Sequence, residues 1–114
     1  MTEPNCLFCR IARREIPATV VAETDAALAF RDIDPRAPLH ALVIPKRHVA
    51  SLAEADDATL VGELLLLAAR VAREAGFAES GFRTVVNAGP DAGQTVFHLH
   101  VHVLAGRALA WPPG

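Results

Sequence analysis

The chain has 114 residues, 52% of them hydrophobic, and a formal net charge of -2 at pH 7. This length supports a single compact domain over residues 1–114. Acidic and basic residues nearly balance, so the chain lacks the excess of positive charge that is typical of proteins that bind a nucleic-acid polymer. No run of about eighteen uncharged apolar residues predicts a membrane span, so we expect a protein without a membrane partner that stays in the cytoplasm.

A short helix is predicted over residues 6–14, ending near Ile16-Pro17 because the residue before a proline avoids the α region. Cys6 and Cys9 are the only cysteines and fall at its start. A disulfide framework needs more cysteines than these two. Three interpretations of the pair remain: a redox pair, half of a zinc site, or two free thiols. The redox interpretation expects a preceding strand, a context that the five residues before Cys6 do not supply. Zinc is favoured, with histidines as further ligands.

The next predicted elements are strands. Residues 19–23 and 27–31 predict a hairpin, and residues 40–44 predict a buried strand that Pro45 ends. A loop fixed by prolines, residues 34–38, connects the hairpin to this strand.

The longest helix is predicted from Asp56 or Asp57, both plausible N-caps, to Ala75, with Gly76 placed to close it. We expect its apolar stripe to lie on the apolar face of the sheet. The stripe consists of Leu60, Val61, Leu64, Leu65, Leu67, Ala68 and Val71. A strand over residues 82–87 follows. Because the strands come in near succession with short connections, we expect an α+β domain with an antiparallel sheet.

The loop at residues 88–93 can hold an anion. Gly89 and Gly93 allow backbone conformations that point N–H groups into a concavity, and Gln94 and Thr95 add side-chain donors beside it. The same pattern of glycine, proline and aspartate also makes an ordinary surface turn. Its position directly before a histidine-rich segment favours phosphate binding.

The segment from Gln94 to Leu104 carries the strongest functional signal. His98, His100 and His102 recur at two-residue spacing between large apolar residues, which predicts a strand with one imidazole face. Aligned imidazoles serve metal ligation or proton and phosphoryl chemistry. The alternative, a solvent-facing strand that is merely rich in histidine, gives no reason for three imidazoles in a row.

This segment resembles the His-x-His-x-His-x-x motif of the histidine triad (HIT) superfamily, and further segments are similar to its Hint branch of purine nucleoside phosphoramidases. Those segments are Cys6-Leu-Phe-Cys9, Glu15-Ile-Pro17, Phe30-Arg-Asp32-Ile-Asp-Pro35, His40-Ala-Leu-Val-Ile-Pro45-Lys-Arg-His48, Val86-Asn87 and Trp111-Pro-Pro-Gly114. The resemblance implies a HIT-like α+β fold. Its five-stranded antiparallel sheet carries one long and one or two short helices and dimerises into a continuous sheet.

The resemblance also implies a nucleotide-binding hydrolase that cleaves the P–N or acyl-phosphate bond of purine nucleoside 5'-phosphoramidates or aminoacyl-adenylates. His100 matches the nucleophile, which becomes transiently nucleotidylated, and His102 matches the histidine that contacts the phosphate and leaving group. The backbone around His98 is expected to fix the tautomer of His100, and Thr95 replaces the serine of many Hint proteins. No catalytic metal is required. The alternatives are a nucleotide-binding regulatory module and a dinucleoside polyphosphate hydrolase, and the terminal Trp-Pro-Pro-Gly argues against the second.

The same resemblance assigns a purine nucleotide site. Asp32 matches the carboxylate that takes the ribose hydroxyls, while the groups that line the phosphate site are Asn87, Gly93, Gln94 and Thr95. The apolar walls around the purine match Leu7, Phe8, Ile11, Ile16, Phe30, Ile33 and Leu42. Each of these seven could equally be plain core.

A structural zinc ion is implied as well, held by Cys6, Cys9, His48 and His98. Such a closed site has no open position for water and ties the N-terminal segment to the sheet. His40 is left over and is interpreted as a buried hydrogen-bonding group. The implied assembly is a homodimer in which the C-terminal segment with Trp111 reaches toward the partner's active site.

Overall fold

The structure is a computed structural model and describes residues 3–114. Its strands are β1 (Val20–Glu23), β2 (Ala27–Arg31), β3 (Leu39–Pro45), β4 (Phe82–Val85) and β5 (Val101–Ala105), and its helices are α1 (Leu7–Ala12), α2 (Ala58–Glu74) and the short 3-10 helix Leu52–Glu54. The strands form one sheet in the order β1-β2-β3-β5-β4, and every neighbouring pair is antiparallel. The expected α+β fold is confirmed, with one long and two short helices.

The central strand β3 is covered on both faces, and all seven of its residues are buried. Ala41 and Val43 belong to the core that packs under α2. Leu42 and Ile44 point to the opposite face, where they share a second core with Phe8 of α1. Because side chains alternate along a strand, His40 lies on the same face as Leu42. The helix α1 and the histidines of the site therefore meet on one face of the sheet.

The helix α2 is bounded by the expected caps. The side chain of Asp57 accepts a hydrogen bond from the backbone N–H of Leu60 at 3.1 Å, and Gly76 has a φ of +93° just after the helix. Most of the predicted apolar stripe is buried, but Leu65 is 43% exposed because it lies beside the stripe rather than on it. None of the helices within residues 3–114 combines the length and the hydrophobicity that a membrane span requires.

The histidine segment is less regular than its spacing predicts. The strand β5 begins only at Val101, so His98 and His100 precede it and His102 alone lies on it. Leu99 N–H donates a hydrogen bond to Val49 O at 2.6 Å, so this group is not available to pair with a neighbouring strand of the sheet. The neighbouring strand β4 likewise ends at Val85, two residues earlier than predicted.

Candidate active site and metal site

A cavity of about 350 Å³ opens on the α1 face of the sheet. All seven side chains expected to form the purine walls line it, together with Asp32, Thr95, His100 and His102. Ile33 is fully exposed at the mouth, whereas Phe8 and Phe30 are buried and pack edge to face with ring centroids 5.5 Å apart. The cavity therefore combines an apolar interior with a polar end that carries two imidazoles.

The ring of His100 is held in one orientation. Its Nδ1 lies 2.7 Å from the main-chain oxygen of His98, which can only accept, so Nδ1 carries the proton. The lone pair of the neutral ring is then on Nε2. Phe8 packs edge-on against this ring at a centroid distance of 5.1 Å and an interplanar angle of 90°. The arrangement presents a buried, oriented imidazole to the cavity.

The ring of His102 is oriented through His40. The backbone N–H of Arg36 donates to His40 Nδ1 at 3.0 Å, so a neutral His40 carries its proton on Nε2. That Nε2 lies 2.9 Å from His102 Nδ1 and 3.3 Å from a carboxylate oxygen of Asp32. When His102 Nδ1 accepts this proton in a hydrogen bond, the neutral His102 must carry its own proton on Nε2. The chain from the Arg36 backbone to His102 thus leaves an N–H donor at the polar end of the cavity.

Both imidazoles of this pair resist protonation. Burial, with smaller contributions from positive charge on His100 and His40, lowers the pKa of His102 to about 4. Burial also lowers the pKa of His40, although the Asp32 carboxylate opposes that shift. Near pH 7 the free protein therefore holds both rings neutral, which is the condition for the proton order described above.

The loop residues predicted to line a phosphate site do not all face the cavity. Thr95 lines it, whereas Asn87, Gly93 and Gln94 do not. Gln94 is buried, its amide oxygen accepts from Gly89 N–H at 2.9 Å, and its amide nitrogen donates to the carbonyls of Ala50 and Val96. Gln94 therefore braces the loop with its side chain, and Thr95 is the residue that the loop presents to the cavity.

Four potential metal ligands converge behind α1. The side chains of Cys6, Cys9, His48 and His98 each offer one ligand atom, and these atoms all lie within 4.8 Å of one another. Cys6 Sγ lies 3.4 Å from His98 Nδ1, and Cys9 Sγ lies 3.4 Å from His48 Nδ1. Tetrahedral zinc with usual bond lengths would place sulfur and nitrogen ligands about 3.6 Å apart. The donor set and its spacing fit zinc.

The wider hydrogen bonding agrees with ligation by His98. Its Nε2 donates to the carbonyl of Pro45 at 2.8 Å, so the neutral ring directs an unprotonated Nδ1 toward both sulfurs. Burial raises the pKa of the Cys9 thiol, which a bound dication would counteract by favouring the thiolate. His98 therefore faces away from the cavity with its side chain and toward His100 with its carbonyl.

Sequence reasoning gave no specific role to Arg36, Arg83 or Phe97. The Arg36 contact is made by the backbone, which leaves no signal in the residue type. Arg83 donates from Nη2 to the carbonyls of Ala110 at 3.0 Å and Leu109 at 3.3 Å and so anchors the C-terminal segment, where Trp111 is 81% exposed. Phe97 is 57% exposed although its place in the alternating pattern suggested the apolar face.

Comparison with known proteins gives one consistent result. A family model described as HIT domain matches residues 13–109. The chain is 56% identical over 112 residues to an uncharacterised HIT-like protein of Synechococcus elongatus, covering 96% of this chain and 97% of the relative. A HIT family hydrolase from Legionella pneumophila has a TM-score of 0.94 at 49% identity, covering 96% of this chain and 100% of that one. A histidine triad protein from Clostridium difficile has a TM-score of 0.93 at 46% identity, covering 96% and 97%.

Proposed function

Because the chain belongs to the HIT domain family, we propose that it is a nucleotide-binding hydrolase of the Hint type. Its substrates are purine nucleoside 5'-phosphoramidates or aminoacyl-adenylates, cleaved through a covalent nucleotidyl-histidine. The observation that carries this proposal is the hydrogen bond of 2.7 Å from His100 Nδ1 to the carbonyl of His98, which leaves a lone pair on Nε2 of a ring that lines the cavity. The likeness to a HIT family hydrolase favours an enzyme over a pure binding module.

The nucleoside occupies the apolar part of the cavity. Phe8 and Phe30 form walls against which a purine ring can pack, and such apolar walls with a few polar groups are typical of ligand sites. Asp32 lines the same cavity and offers a carboxylate to the ribose hydroxyls. This placement brings the 5'-phosphate to the end that carries His100, His102 and Thr95.

In the first step, the lone pair on Nε2 of His100 attacks the α-phosphorus. The bond between phosphorus and the leaving nitrogen breaks, and nucleotidyl-His100 forms. The departing amine takes a proton from His102. In the free protein His102 is neutral, but a phosphate anion beside its Nε2–H raises the pKa of the ring and favours the imidazolium that can give up this proton.

In the second step, water attacks the same phosphorus and the bond to Nε2 breaks. The proton of the attacking water goes to His102, which became neutral in the first step. The products are the nucleoside monophosphate and free His100, so the net reaction consumes one water and releases one amine. Thr95 contributes a hydroxyl at the phosphate end of the cavity.

The cysteine and histidine cluster stands apart from these steps. Zinc bound by Cys6, Cys9, His48 and His98 would cross-link the N-terminal segment to the sheet as a structural ion. These residues reach the reacting groups through the main-chain carbonyl of His98, which orients His100. We therefore assign zinc as a structural cofactor and no metal to the reaction.

A parallel assay tests the proposed reaction. The protein is offered adenosine 5'-phosphoramidate and a diadenosine polyphosphate, and kcat/KM is compared. A denaturing quench at alkaline pH during turnover, followed by peptide mass spectrometry, locates the trapped nucleotide. We expect the phosphoramidate to be preferred and the nucleotide to be on His100. Preference for the polyphosphate, or modification of another residue, would contradict the proposal.

We also propose a homodimer in which two sheets join at β4. This strand lies at the edge of the sheet, and Phe82 at its start is 40% exposed. An unpaired edge is a ready surface for a second copy. Light scattering at micromolar concentration is expected to report a dimer, and a monomer would contradict this assembly.

The C-terminal segment is proposed to act across that dimer. Arg83 fixes the carbonyls of Leu109 and Ala110, which holds the chain just before the exposed Trp111. Deleting residues 109–114 is expected to change kcat/KM and leaving-group preference with a modest loss of stability. A truncated protein with the same preference as the full chain would show that the segment is only a tail.

A further inference from the structure

A cavity of about 240 Å³ lies where β4 begins and β5 ends. Phe82 at the start of β4 pairs with Ala105 at the end of β5, so the chain before one strand and the chain after the other lie side by side. Gly81 and Gly106 turn the chain at these two points, with φ values of +107° and +98° that favour glycine. Among the described residues, none lines both this cavity and the proposed nucleotide cavity. The two cavities are therefore separate places on the molecule.

The side chains of Arg83 and Arg107 give this cavity a positive charge. Both line it, and no acidic residue among the described ones does. Neither guanidinium forms a salt bridge within residues 3–114, whereas six other arginines do. Glu79, the nearest acidic residue along the chain, lies outside the lining. The cavity thus carries two positive charges without a counter-charge.

Both guanidiniums are held in place by neutral backbone groups. Arg83 donates from Nη2 to the two carbonyls of the C-terminal segment described above. Arg107 donates from Nε to the carbonyl of Arg36 at 2.9 Å and from Nη1 to that of Ala108 at 3.1 Å. Carbonyls orient a guanidinium but do not neutralise its charge. Within residues 3–114, Nε and Nη1 of Arg83 and Nη2 of Arg107 have no protein acceptor, so these donors are free to bind an anion.

A phosphate group matches this pair of arginines better than a carboxylate does. It carries between about one and a half and two negative charges near pH 7, which two guanidiniums can balance, and its oxygens can accept from both at once. The hydroxyl of Ser80, which also lines the cavity, is a further donor. A carboxylate has a single charge, which one guanidinium can balance alone. The cavity is also smaller than most pockets that hold a whole small molecule, which favours a small anion.

From the position, the charge and the free donors of this cavity we propose that Arg83 and Arg107 form a binding site for a small phosphoryl anion, either inorganic phosphate or pyrophosphate. An anion bound there links β4 to the segment that follows β5. The site does not depend on the proposed hydrolysis, because none of its residues takes part in that reaction.

The test titrates the full-length protein with inorganic phosphate, pyrophosphate or acetate at constant ionic strength. Each titration is run with and without saturating adenosine monophosphate, which fills the proposed nucleotide cavity and leaves other sites open to the anion. Calorimetry gives the affinity, and NMR of the arginine Nε–H groups shows where the anion binds. The variants are Arg107→Gln and Arg107→Lys. Arg73→Gln is the matched control, since Arg73 also forms no salt bridge within residues 3–114 but lies on α2 and lines another cavity.

We expect a phosphoryl anion to bind in the presence of adenosine monophosphate with a dissociation constant of a few millimolar or tighter, and to shift the Nε–H signals of Arg83 and Arg107 together. The tighter of the two phosphoryl anions identifies the ligand. Acetate should bind at least about tenfold more weakly, because it offers one charge to two guanidiniums. Arg107→Gln should weaken binding by about three- to tenfold, the scale of a charged hydrogen bond at an exposed site. Arg107→Lys keeps the charge but not the planar fork and should lose less. Arg73→Gln should bind as the wild type does.

Any of four results would overturn this site. The first is the absence of saturable binding of either phosphoryl anion to the wild-type protein. Binding that disappears when adenosine monophosphate is present would place the anion in the nucleotide cavity instead. Equal losses of affinity in Arg73→Gln and Arg107→Gln would show only a general effect of charge. Acetate that binds as tightly as phosphate would show that the two arginines do not select a phosphoryl group.

Discussion

The carbonyl of His98 selects the reactive nitrogen of its neighbour two residues along the chain. Because it accepts the Nδ1 proton of His100 at 2.7 Å, the neutral ring keeps its lone pair on Nε2. A neutral imidazole of this kind is a competent nucleophile near neutral pH. His98 thus orients the proposed nucleophile through its main chain while its buried side chain faces the two cysteines.

The first prediction removes that nucleophile. His100→Ala or His100→Asn should lower kcat on adenosine 5'-phosphoramidate by more than about a hundredfold, since loss of a nucleophile usually costs several orders of magnitude. Binding of adenosine monophosphate should survive, because the apolar walls of the cavity remain. Steady-state kinetics and titration calorimetry measure the two effects. A variant that keeps more than about a hundredth of kcat would refute the assignment.

The second prediction concerns His40 as a positioning residue. Its Nε2 lies 2.9 Å from His102 Nδ1 and fixes the proton of His102 on the other nitrogen. His40→Leu removes this donor and should lower kcat by about tenfold or more with little change in KM. His40→Gln keeps an N–H donor and should restore part of the loss. Equal activity of the two variants, or a change confined to KM, would show that the residue acts only through packing.

At the level of elements, α1 connects two sites. Its N-cap is Cys6, whose side chain accepts a hydrogen bond from Cys9 N–H at 3.4 Å. Phe8, which lies between these cysteines, forms a wall of the proposed nucleotide cavity. The helix has only six residues, and helices this short have little stability of their own. Its position therefore depends on packing and on the cluster behind it.

The third prediction tests that dependence. Cys6→Ser should lower both the metal content and the melting temperature, because a structural metal contributes to folding free energy. It should leave kcat largely intact, because no step of the proposed reaction involves a metal. Elemental analysis and thermal denaturation give the readouts, with Ser51→Ala outside the cluster as a control. Protein purified without chelator that contains well under one zinc per chain would count against the site.

The sequence predicted the elements better than their ends. The start of α2 at Asp57 and the ends of β3 near its prolines could be predicted, because a helix cap and a proline affect only the backbone next to them. The late start of β5 was not, since it depends on Val49, about fifty residues away along the chain, which accepts the N–H of Leu99. In the candidate site, too, local sequence patterns were informative and long-range contacts were not predictable. Motif spacing identified the histidines and cysteines. Only the fold shows that the Gln94 side chain is hydrogen-bonded to backbone groups and that Phe97 is exposed.

At the level of the whole molecule, the buried His40 and the half-buried His102 make stability depend on pH. The pKa of His102 is about 4 in the folded protein against an ordinary value of 6.5, and burial lowers the pKa of His40 too. Between these values the unfolded chain binds protons that the folded protein does not. Stability from this source is complete above about pH 6.5 and is lost as the pH falls toward about 4.

The fourth prediction follows from this loss of stability at low pH. The melting temperature should fall as the pH is lowered from 6.5 to 4, and His102→Gln, which cannot titrate, should show a shallower fall across the same window. Calorimetric scans at several pH values measure the difference. Parallel curves for the two proteins would show that His102 does not contribute to this dependence.

The short helix α1 carries both Phe8, which lines the proposed nucleotide cavity, and Cys9, which belongs to the proposed zinc site. Binding at either site should therefore affect binding at the other. Any ligand that favours the ordered position of α1 must favour every other ligand that needs it, and the factor is the same in both directions. Adenosine monophosphate should therefore tighten the binding of zinc, and zinc should tighten the binding of the nucleotide by the same factor. In a cell where free zinc is scarce, the supply of nucleotide would then help to decide how much of the protein carries zinc at the proposed site.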